Sequence, residues 1–285
     1  MSKAMTVSAS KPNLGRFGSF GIGVTPQQAK ERGPGLRGNL GRQFAAGRIV
    51  LGGAYSGSHD DAAGGHRNRQ HLDGARQTGG RVVPPHRKDY PGRFLLGIGV
   101  GHREIINDYR KPYEALVEYL DKLDEYGVPA NRRVLGAQGP RVLKLSAERS
   151  GGAFPYQTTP EHTAHARELL GPSAFLAAEL KVVLTTDADE ARAVGGKGLD
   201  MYFNLVNFRN SWKRQGFSEE EVVRPGSDRL VDALVAYGTV DQIAARLKEH
   251  LDAGADHVAV EVLTEDENLV SALAELAGPL ALTQR

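Results

Sequence analysis

The chain has 285 residues, of which 40% are apolar, and it carries no cysteine and a formal net charge of +2. This length allows one large α/β domain or two small ones, and the lack of cysteine excludes disulfides and thiolate metal sites. The N-terminus has no apolar core of the signal-peptide kind, and no apolar run reaches the roughly 20 residues that span a bilayer. We therefore expect a cytoplasmic protein that does not contact a membrane.

The positive charge is concentrated in one segment. Residues 31–88 carry ten Lys/Arg and four Asp/Glu, a net charge of +6, which leaves −4 for the rest of the chain. Such local charge does not indicate a nucleic-acid-binding fold. The same segment has 13 glycines and only nine Ile, Leu, Val, Phe or Met residues. This apolar content lies below the roughly 20% that separates foldable from disordered composition.

The predicted elements begin with a flexible lead-in at 1–14, a strand at 16–24 and a helix that starts at Thr25-Pro26. We refer to residues 31–88 as the anomalous segment. Within it only 47–53 is typical of a strand. Strand-like and helix-like periods then alternate to the end of the chain. The later predicted strands are 94–98, 133–137, 152–154, 181–184 and 257–263. The later predicted helices are 113–126, 140–149, 159–170, 187–194, 239–254 and 269–276, with a mostly helical excursion at 199–237.

Alternating strands and helices indicate a parallel sheet built from βαβ units. Six strands can be identified outside the anomalous segment, whereas a closed (β/α)₈ barrel needs eight. The 58 residues of that segment are long enough for two βαβ units of roughly 30 residues each, although their composition is unsuitable. Strands 2 and 3 of a barrel are therefore doubtful.

Four stretches carry a family resemblance: 92–102, 139–156, 158–171 and 237–263. The most specific pattern is GT-x-DQ-x-A-x-RL followed by DAGADHV, which starts at Gly238. The chain resembles the luciferase-like monooxygenase superfamily, and most of all its actinobacterial branch of F420-dependent oxidoreductases. The resemblance implies a single (β/α)₈ TIM-barrel domain over 1–285, with a helical insertion before the last strand. It also implies a homodimer, a small organic substrate, and a deazaflavin or flavin at the carboxyl-terminal mouth of the barrel.

The resemblance places cofactor-binding residues at three strand ends. Those near the cofactor ring or its ribityl chain are Gly99, Val100, Gly101 and His102, and Gly136 faces the same mouth. Those near the tail and phosphate are Ser150, Gly151, Gly152 and Ala153. No metal site is expected.

His102 is the candidate catalytic residue. It follows the fourth strand, where the active sites of barrels gather, and an imidazole can hold or pass a proton near neutral pH. The alternative is a histidine on a surface loop. The preceding glycines do not form a Rossmann fingerprint, because the third glycine of G-x-G-x-x-G is missing and the next helix begins some ten residues later.

Two other groups allow more than one interpretation. Ser150 and the glycines after it could cradle an anion with their amides, or they could be an ordinary helix C-cap followed by a strand. His162 and His165 have a spacing that can bind metal, but no third ligand is evident, and a solvated helix face is the favoured interpretation.

Residues 33–88 depart from the family pattern as an out-of-frame translation would, and a divergent flexible insertion is the alternative. Three functions follow from these observations. The first is hydride transfer between F420 and a small organic substrate. The second is an FMN-dependent monooxygenase, and the third is a damaged barrel without catalytic function.

Overall fold

A computed structural model of the chain describes residues 17–22, 39–42, 50–53, 96–100, 102, 104, 111–125, 127–264 and 268–280. In the first three segments, and at Leu96, the description covers the backbone only. The strands are β1 Phe17–Ile22, β2 Asn39–Arg42, β3 Val50–Gly53, β4 Leu96–Gly99, β5 Arg133–Leu135, β6 Gly152–Ala153, β7 Phe175–Val183, β8 Val235–Tyr237 and β9 His257–Val262. The predicted helix after Thr25 lies outside the described residues.

The described helices follow the sequence periods closely. They are α1 Pro112–Glu125, α2 Pro140–Arg149, α3 Pro160–Leu170, α4 Ala188–Phe203, α5 Val206–Arg214, α6 Asp228–Leu234, α7 Val240–Asp252 and α8 Leu269–Ala277. Thr239 forms a capping box with Gln242 at the start of α7, and proline occupies the first turn of α2 and α3. Among these helices none is long and apolar enough to cross a bilayer.

The strands form one sheet in the order β2-β1-β9-β7-β6-β5-β4-β3, and β8 pairs with the end of β7 outside this path. This is the sequential order of a (β/α)₈ barrel, with β2 and β3 at its two ends. Six of the seven neighbouring pairs along the path are parallel. The predicted α/β barrel class is thus confirmed, as is the helical insertion before the last strand.

The strands of the anomalous segment differ in one respect from a regular barrel. β3 lies inside the predicted strand 47–53, but it runs antiparallel to β4, with Val50 opposite Gly99 and Gly53 opposite Leu96. Only seven residues separate β2 from β3. A crossover between parallel strands needs a dozen or more residues. A connection of seven residues therefore favours a β3 that runs in the direction opposite to β2.

Three elements differ from those predicted. β7 begins at Phe175, six residues before the predicted strand at 181–184. β8 is a strand inside the predicted helical excursion. α4 continues past the predicted end at residue 194 and through three glycines to Phe203. These glycines allow close packing, because a Cβ on Gly195 would lie 3.1 Å from Val231 and one on Gly198 would lie 2.7 Å from Leu263.

The two faces of β7 point to different environments. Leu180 and Val182 on the outer face pack with residues of α7 and α8. On the inner face, Phe175 and Ala177 pack with residues of β5 and β9. The inner face then continues with charged residues towards the carboxyl end of the strand, since side chains alternate along a strand. The interior of the sheet therefore changes from apolar to charged as the candidate site is approached.

Candidate active site

The carboxyl ends of the parallel strands bring several polar residues to one edge of the sheet. His102 follows β4, Gln138 follows β5 and Gln157 follows β6. The helical insertion reaches the same edge, where the side-chain oxygen of Glu104 accepts a hydrogen bond from the backbone amide of Val206 at 3.2 Å. In open and closed parallel sheets this is the edge where ligands bind.

His102 is buried, with 6% of its surface exposed, and is not the surface-loop histidine of the alternative interpretation. Its Nδ1 lies 3.0 Å from Oδ1 of Asn207 on α5. A carboxamide oxygen only accepts hydrogen bonds, so Nδ1 carries the proton in this arrangement. The ring also packs against Phe208, at 5.6 Å between centroids. The insertion thus fixes the orientation of the imidazole.

Gly99 and Gly136 are brought together at the ends of β4 and β5. The Gly136 amide donates to the carbonyl of Ile98 at 2.8 Å, and a Cβ on Gly136 would lie 3.9 Å from Cα of Gly99. A Cβ on Gly99 would meet nothing within 4 Å. Val100 packs beside the core of α1 and β4, and Gly101 lies outside the described residues. The two glycines leave space for a flat ligand to approach the backbone.

The predicted phosphate residues lie elsewhere. Ser150 and Gly151 precede β6, at the amino-terminal end of the sheet, whereas His102 lies at the carboxyl-terminal end. The three amides of 150–152 bond to Ser146 O, Arg133 O and Ser150 Oγ. Ala153 packs between the sheet and helices α2 and α3. Their role in binding the cofactor stays a prediction, and this geometry resembles the helix C-cap alternative.

Three charged side chains lie inside the barrel below the mouth. Glu179 and Lys181 are each 1% exposed, and Glu261 is 19% exposed. Lys181 Nζ lies 2.5 Å from Oε2 of Glu261 and 3.6 Å from Oε1 of Glu179. A buried charge is tolerated only when it is paired and hydrogen-bonded. We refer to Glu179, Lys181 and Glu261 as the buried triad.

Burial raises the pKa of Glu179 to about 7, with Lys181 lowering the pKa and Glu261 raising it. Burial alone would lower the pKa of Lys181, but the two carboxylates outweigh this effect and hold it above its ordinary value. Lys181 therefore stays charged at neutral pH, whereas Glu179 can gain or lose a proton there.

Gln157 connects the buried triad to the loop after β6. Its backbone amide and Nε2 both donate to Oε2 of Glu179 at 3.1 Å. Its φ is +57°, a left-handed conformation that residues other than glycine rarely adopt. Trp212 on α5 donates from Nε1 to the Gln157 carbonyl at 3.1 Å. Contacts on both sides therefore hold this strained residue in place.

An aromatic cluster from the insertion covers the buried triad. Phe208 contacts Tyr202, Tyr156 and Trp212, with centroids 4.7, 5.2 and 6.1 Å away. Lys181 Nζ lies 5.6 Å from the centroid of the Tyr202 ring. The cluster is buried and links the triad to His102 through Phe208. Trp212 on α5 is part of this cluster.

Sequence reasoning did not identify the buried triad. Lys181 lies in β7 and is paired with both carboxylates. A signal was present in β9, where His257, Ala259 and Glu261 alternate with three valines. In a barrel the valines face the helices, so the alternate positions face the interior.

His162 corrects another expectation. It is buried rather than solvated, although His165 is exposed. Burial lowers the pKa of His162 to about 4, assisted by His165 and Arg214. Within the described residues no group of three or more His, Asp or Glu side chains could hold a metal ion.

The amino terminus of α2 opens at the same edge as His102. Gly139 is its N-cap, without a side-chain acceptor for the first amides. Arg214 at the end of α5 donates to the carbonyl of Gln138 at 3.3 Å, and its Nη2 would lie 3.8 Å from a Cβ on Gly139. A helix amino terminus beside a guanidinium favours an anion.

Comparison with solved structures supports the fold. An F420-dependent secondary alcohol dehydrogenase in complex with an F420–acetone adduct matches with a TM-score of 0.59 and 10% identity, over 95% of this chain and 99% of that chain. The coenzyme F420 dependent tetrahydromethanopterin reductase from Methanopyrus kandleri matches with a TM-score of 0.44 and 14% identity, over 67% and 75%. The oxygenating constituent of 3,6-diketocamphane monooxygenase from Pseudomonas putida, in complex with FMN, matches with a TM-score of 0.36 and 14% identity, over 53% and 47%.

No protein-family model matches the chain, and no curated protein matches it. The match over nearly the full length shows that the chain has the luciferase-like (β/α)₈ fold.

Proposed function

We propose that this protein is an oxidoreductase of the luciferase-like class that transfers a hydride between F420 and a small organic substrate. The observation that supports it most is the structural match to an F420-dependent alcohol dehydrogenase over 95% of the chain. A second observation is the buried polar site formed by His102 and the buried triad towards the carboxyl-terminal end of the barrel strands. A cytoplasmic homodimer with one barrel domain per chain remains part of this proposal.

The residues at the mouth fit a deazaflavin. Its pyrimidine edge carries carbonyl and N–H groups that need polar partners. Gln157 Oε1 and Thr158 Oγ1 are buried and have no hydrogen-bond partner among the described residues, and unpartnered buried polar atoms are rare in folded proteins. The close pair Gly99 and Gly136 would let the ring approach the backbone, and Arg214 beside the start of α2 would hold a phosphate.

The bound cofactor would supply hydride chemistry, and the protein would supply position and proton exchange. His102, oriented by Asn207, would contact the reacting groups at the mouth. The aromatic cluster around Phe208 would exclude water from them. Exclusion of water strengthens the electrostatic effect of each polar group that remains.

Titration of the purified protein with F420, and separately with FMN, tests this proposal. We expect a change in the absorbance or fluorescence of F420 on binding, followed by anaerobic reduction of F420 in the presence of a secondary alcohol. Binding of FMN with oxygen consumption by the reduced complex would instead establish the monooxygenase. Binding of neither cofactor would establish the inactive barrel.

Two matched variants locate the cofactor. Gly99→Ala places a methyl group in the space at the end of β4, and Gly196→Ala places one in open space on α4. Both sites tolerate a Cβ, so stability should change little in either. We expect only Gly99→Ala to weaken cofactor binding, by about tenfold, which corresponds to about 1.4 kcal/mol. Equal affinities in the two variants would contradict the proposed site.

A further inference from the structure

Apolar side chains could fill the position of the buried triad in the fold. Three ionisable side chains on neighbouring strands occupy the barrel interior, where alanine and phenylalanine serve in the layers below. Replacing a buried ion pair by apolar residues is often neutral or stabilising. Stability alone therefore does not account for these charges.

The two carboxyl groups of the triad lie against the same ammonium group. Nζ of Lys181 is 2.5 Å from Oε2 of Glu261 and 3.6 Å from Oε1 of Glu179. When two carboxylates share one site, the pKa of one of them is raised, and the charge of Glu261 does raise the pKa of Glu179. With Lys181 charged, one proton on the pair makes the buried triad neutral, and its loss leaves one negative charge.

The triad also spans a gradient of exposure. Glu179 is 1% exposed, whereas Glu261 is 19% exposed and lies one residue before the carboxyl end of β9. A proton on the pair can thus pass from the buried carboxyl to the more accessible one, which lies towards the mouth. Among the described residues, Tyr202 of α4 also faces the triad, with its ring centroid 5.6 Å from Nζ of Lys181.

Gln157 acts on this pair as a positioning residue. Both of its donors point at one oxygen of Glu179, Oε2. A left-handed φ is unfavourable for glutamine, and the Trp212 hydrogen bond to its carbonyl helps to maintain it. The strained loop therefore stabilises one oxygen of Glu179 in its ionised form.

We propose that Glu179 and Glu261 hold one exchangeable proton for the reaction at the mouth, with Lys181 balancing the charge and Gln157 positioning Glu179. This inference rests on the proposed function, because hydride transfer creates the need for the proton. With F420 bound, oxidation of an alcohol would transfer a hydride from its carbon to the cofactor and would break its O–H bond. The electron pair of that bond would form the C=O bond, and the proton would be taken up at the mouth, where His102 lies, and held on the carboxylate pair. Reduction of a ketone would return the proton to oxygen.

The first test needs no cofactor. Infrared spectroscopy of the ligand-free protein should show one carboxyl group that titrates near neutral pH. Glu179→Gln should abolish this band, and Glu261→Gln should move its titration to lower pH, because the neighbouring carboxyl that opposes ionisation is gone. Glu219→Gln, an exposed residue paired with Lys213, is the matched control and should change nothing. A band that titrates identically in the wild type and in Glu179→Gln would overturn the proposal.

The second test uses the F420 complex. Turnover of the wild type should change about tenfold per pH unit on one side of neutrality. In Glu179→Gln it should fall by about 10²-fold and become flat with pH, and Gln157→Gly should shift the profile to higher pH, because one donor to the carboxylate is lost.

An unchanged profile in Glu179→Gln would overturn the inference while the proposed function stands. If the wild type binds no deazaflavin, the proposed function fails, and the infrared titration still decides whether the pair holds a proton. If Glu179→Gln does not fold, the direction of the shift in Glu261→Gln decides.

Discussion

Arg167 on α3 binds Asp256, the residue before β9, with 2.7 Å between Nη2 and Oδ2. The same carboxylate oxygen accepts the backbone amide of Leu176 at 2.9 Å, near the start of β7. One ion pair thus joins a helix to two central strands of the sheet. Both side chains are largely buried, which distinguishes this pair from the exposed ion pairs of the insertion.

Substitution of Arg167 by alanine should destabilise the protein by about 2–4 kcal/mol, because it removes the partner of a largely buried carboxylate. It also removes donors from three carbonyl groups. These belong to Gly171, Ala174 and Gly254, at 2.8, 2.8 and 2.9 Å. Urea unfolding would measure the change. As the matched control, Lys213→Ala breaks an exposed pair and should cost less than about 1 kcal/mol; equal effects of the two variants would contradict this account.

Acid should destabilise the protein through two buried histidines. The Thr163 hydroxyl lies 2.8 Å from Nδ1 of His250, at the contact between α3 and α7. Burial, assisted by Arg246 and His162, lowers the pKa of His250 to about 4, and burial likewise lowers the pKa of His162 to about 4. The unfolded chain, with a histidine pKa near 6.5, therefore binds more protons than the folded protein as the pH falls below that value.

Because the folded-state pKa values are depressed, stability is retained above about pH 6.5 and is lost as the pH falls towards 4. Between pH 7 and pH 5 the loss should be about 2 kcal/mol for each histidine. Chemical denaturation at several pH values would measure it. His250→Gln should reduce the slope of stability against pH. An unaltered slope in His250→Gln would reject the assignment.

The helices could be predicted from the sequence because caps and apolar periods are local signals. Thr239, Thr159 and Asp187 cap α7, α3 and α4 as their residue types suggest. The long strand β7 was mostly missed, because its inner face contains small and charged residues in place of the apolar alternation that a strand usually shows. Only tertiary closure of the barrel makes such a face a buried one.

The candidate site divides in the same way. His102 and Gly136 follow β4 and β5, and chain order alone indicates which end of a parallel strand a residue follows. The partner of His102 could not be inferred, because Asn207 is 105 residues away in the chain and meets it only through the folding of the insertion. Glu179 and Gln157 were missed for the same reason.

Gly152 should be required by packing rather than by ligand binding. A Cβ at this position would lie 1.8 Å from the carbonyl oxygen of Phe175, and its φ is +153°. Gly152→Ala should therefore lower the yield of folded protein or destabilise it by several kcal/mol, on the order of overpacked core variants. Gly171→Ala, at φ +72° but with open space, should cost only about 1 kcal/mol.

A companion variant separates packing from the predicted phosphate role of this turn. The Ser150 hydroxyl lies 2.8 Å from both Ser146 O and Gly152 O, and its single hydrogen bonds within its own segment. Ser150→Ala should cost about 1 kcal/mol of stability and leave cofactor affinity unchanged. A selective loss of cofactor affinity, with stability intact, would instead support a phosphate at Ser150.

His102 and Asn207 should act as a unit in turnover. Removal of the imidazole in His102→Ala should lower turnover by about 10²-fold or more, the usual range for a lost acid–base group. Asn207→Ala keeps the imidazole but removes the oxygen that orients it, so we expect a smaller loss, of about tenfold. The double variant should be no slower than His102→Ala, because Asn207 acts only through the ring. Single-turnover kinetics with bound cofactor would measure all three, and a double variant whose losses simply multiply would show that Asn207 acts independently of His102.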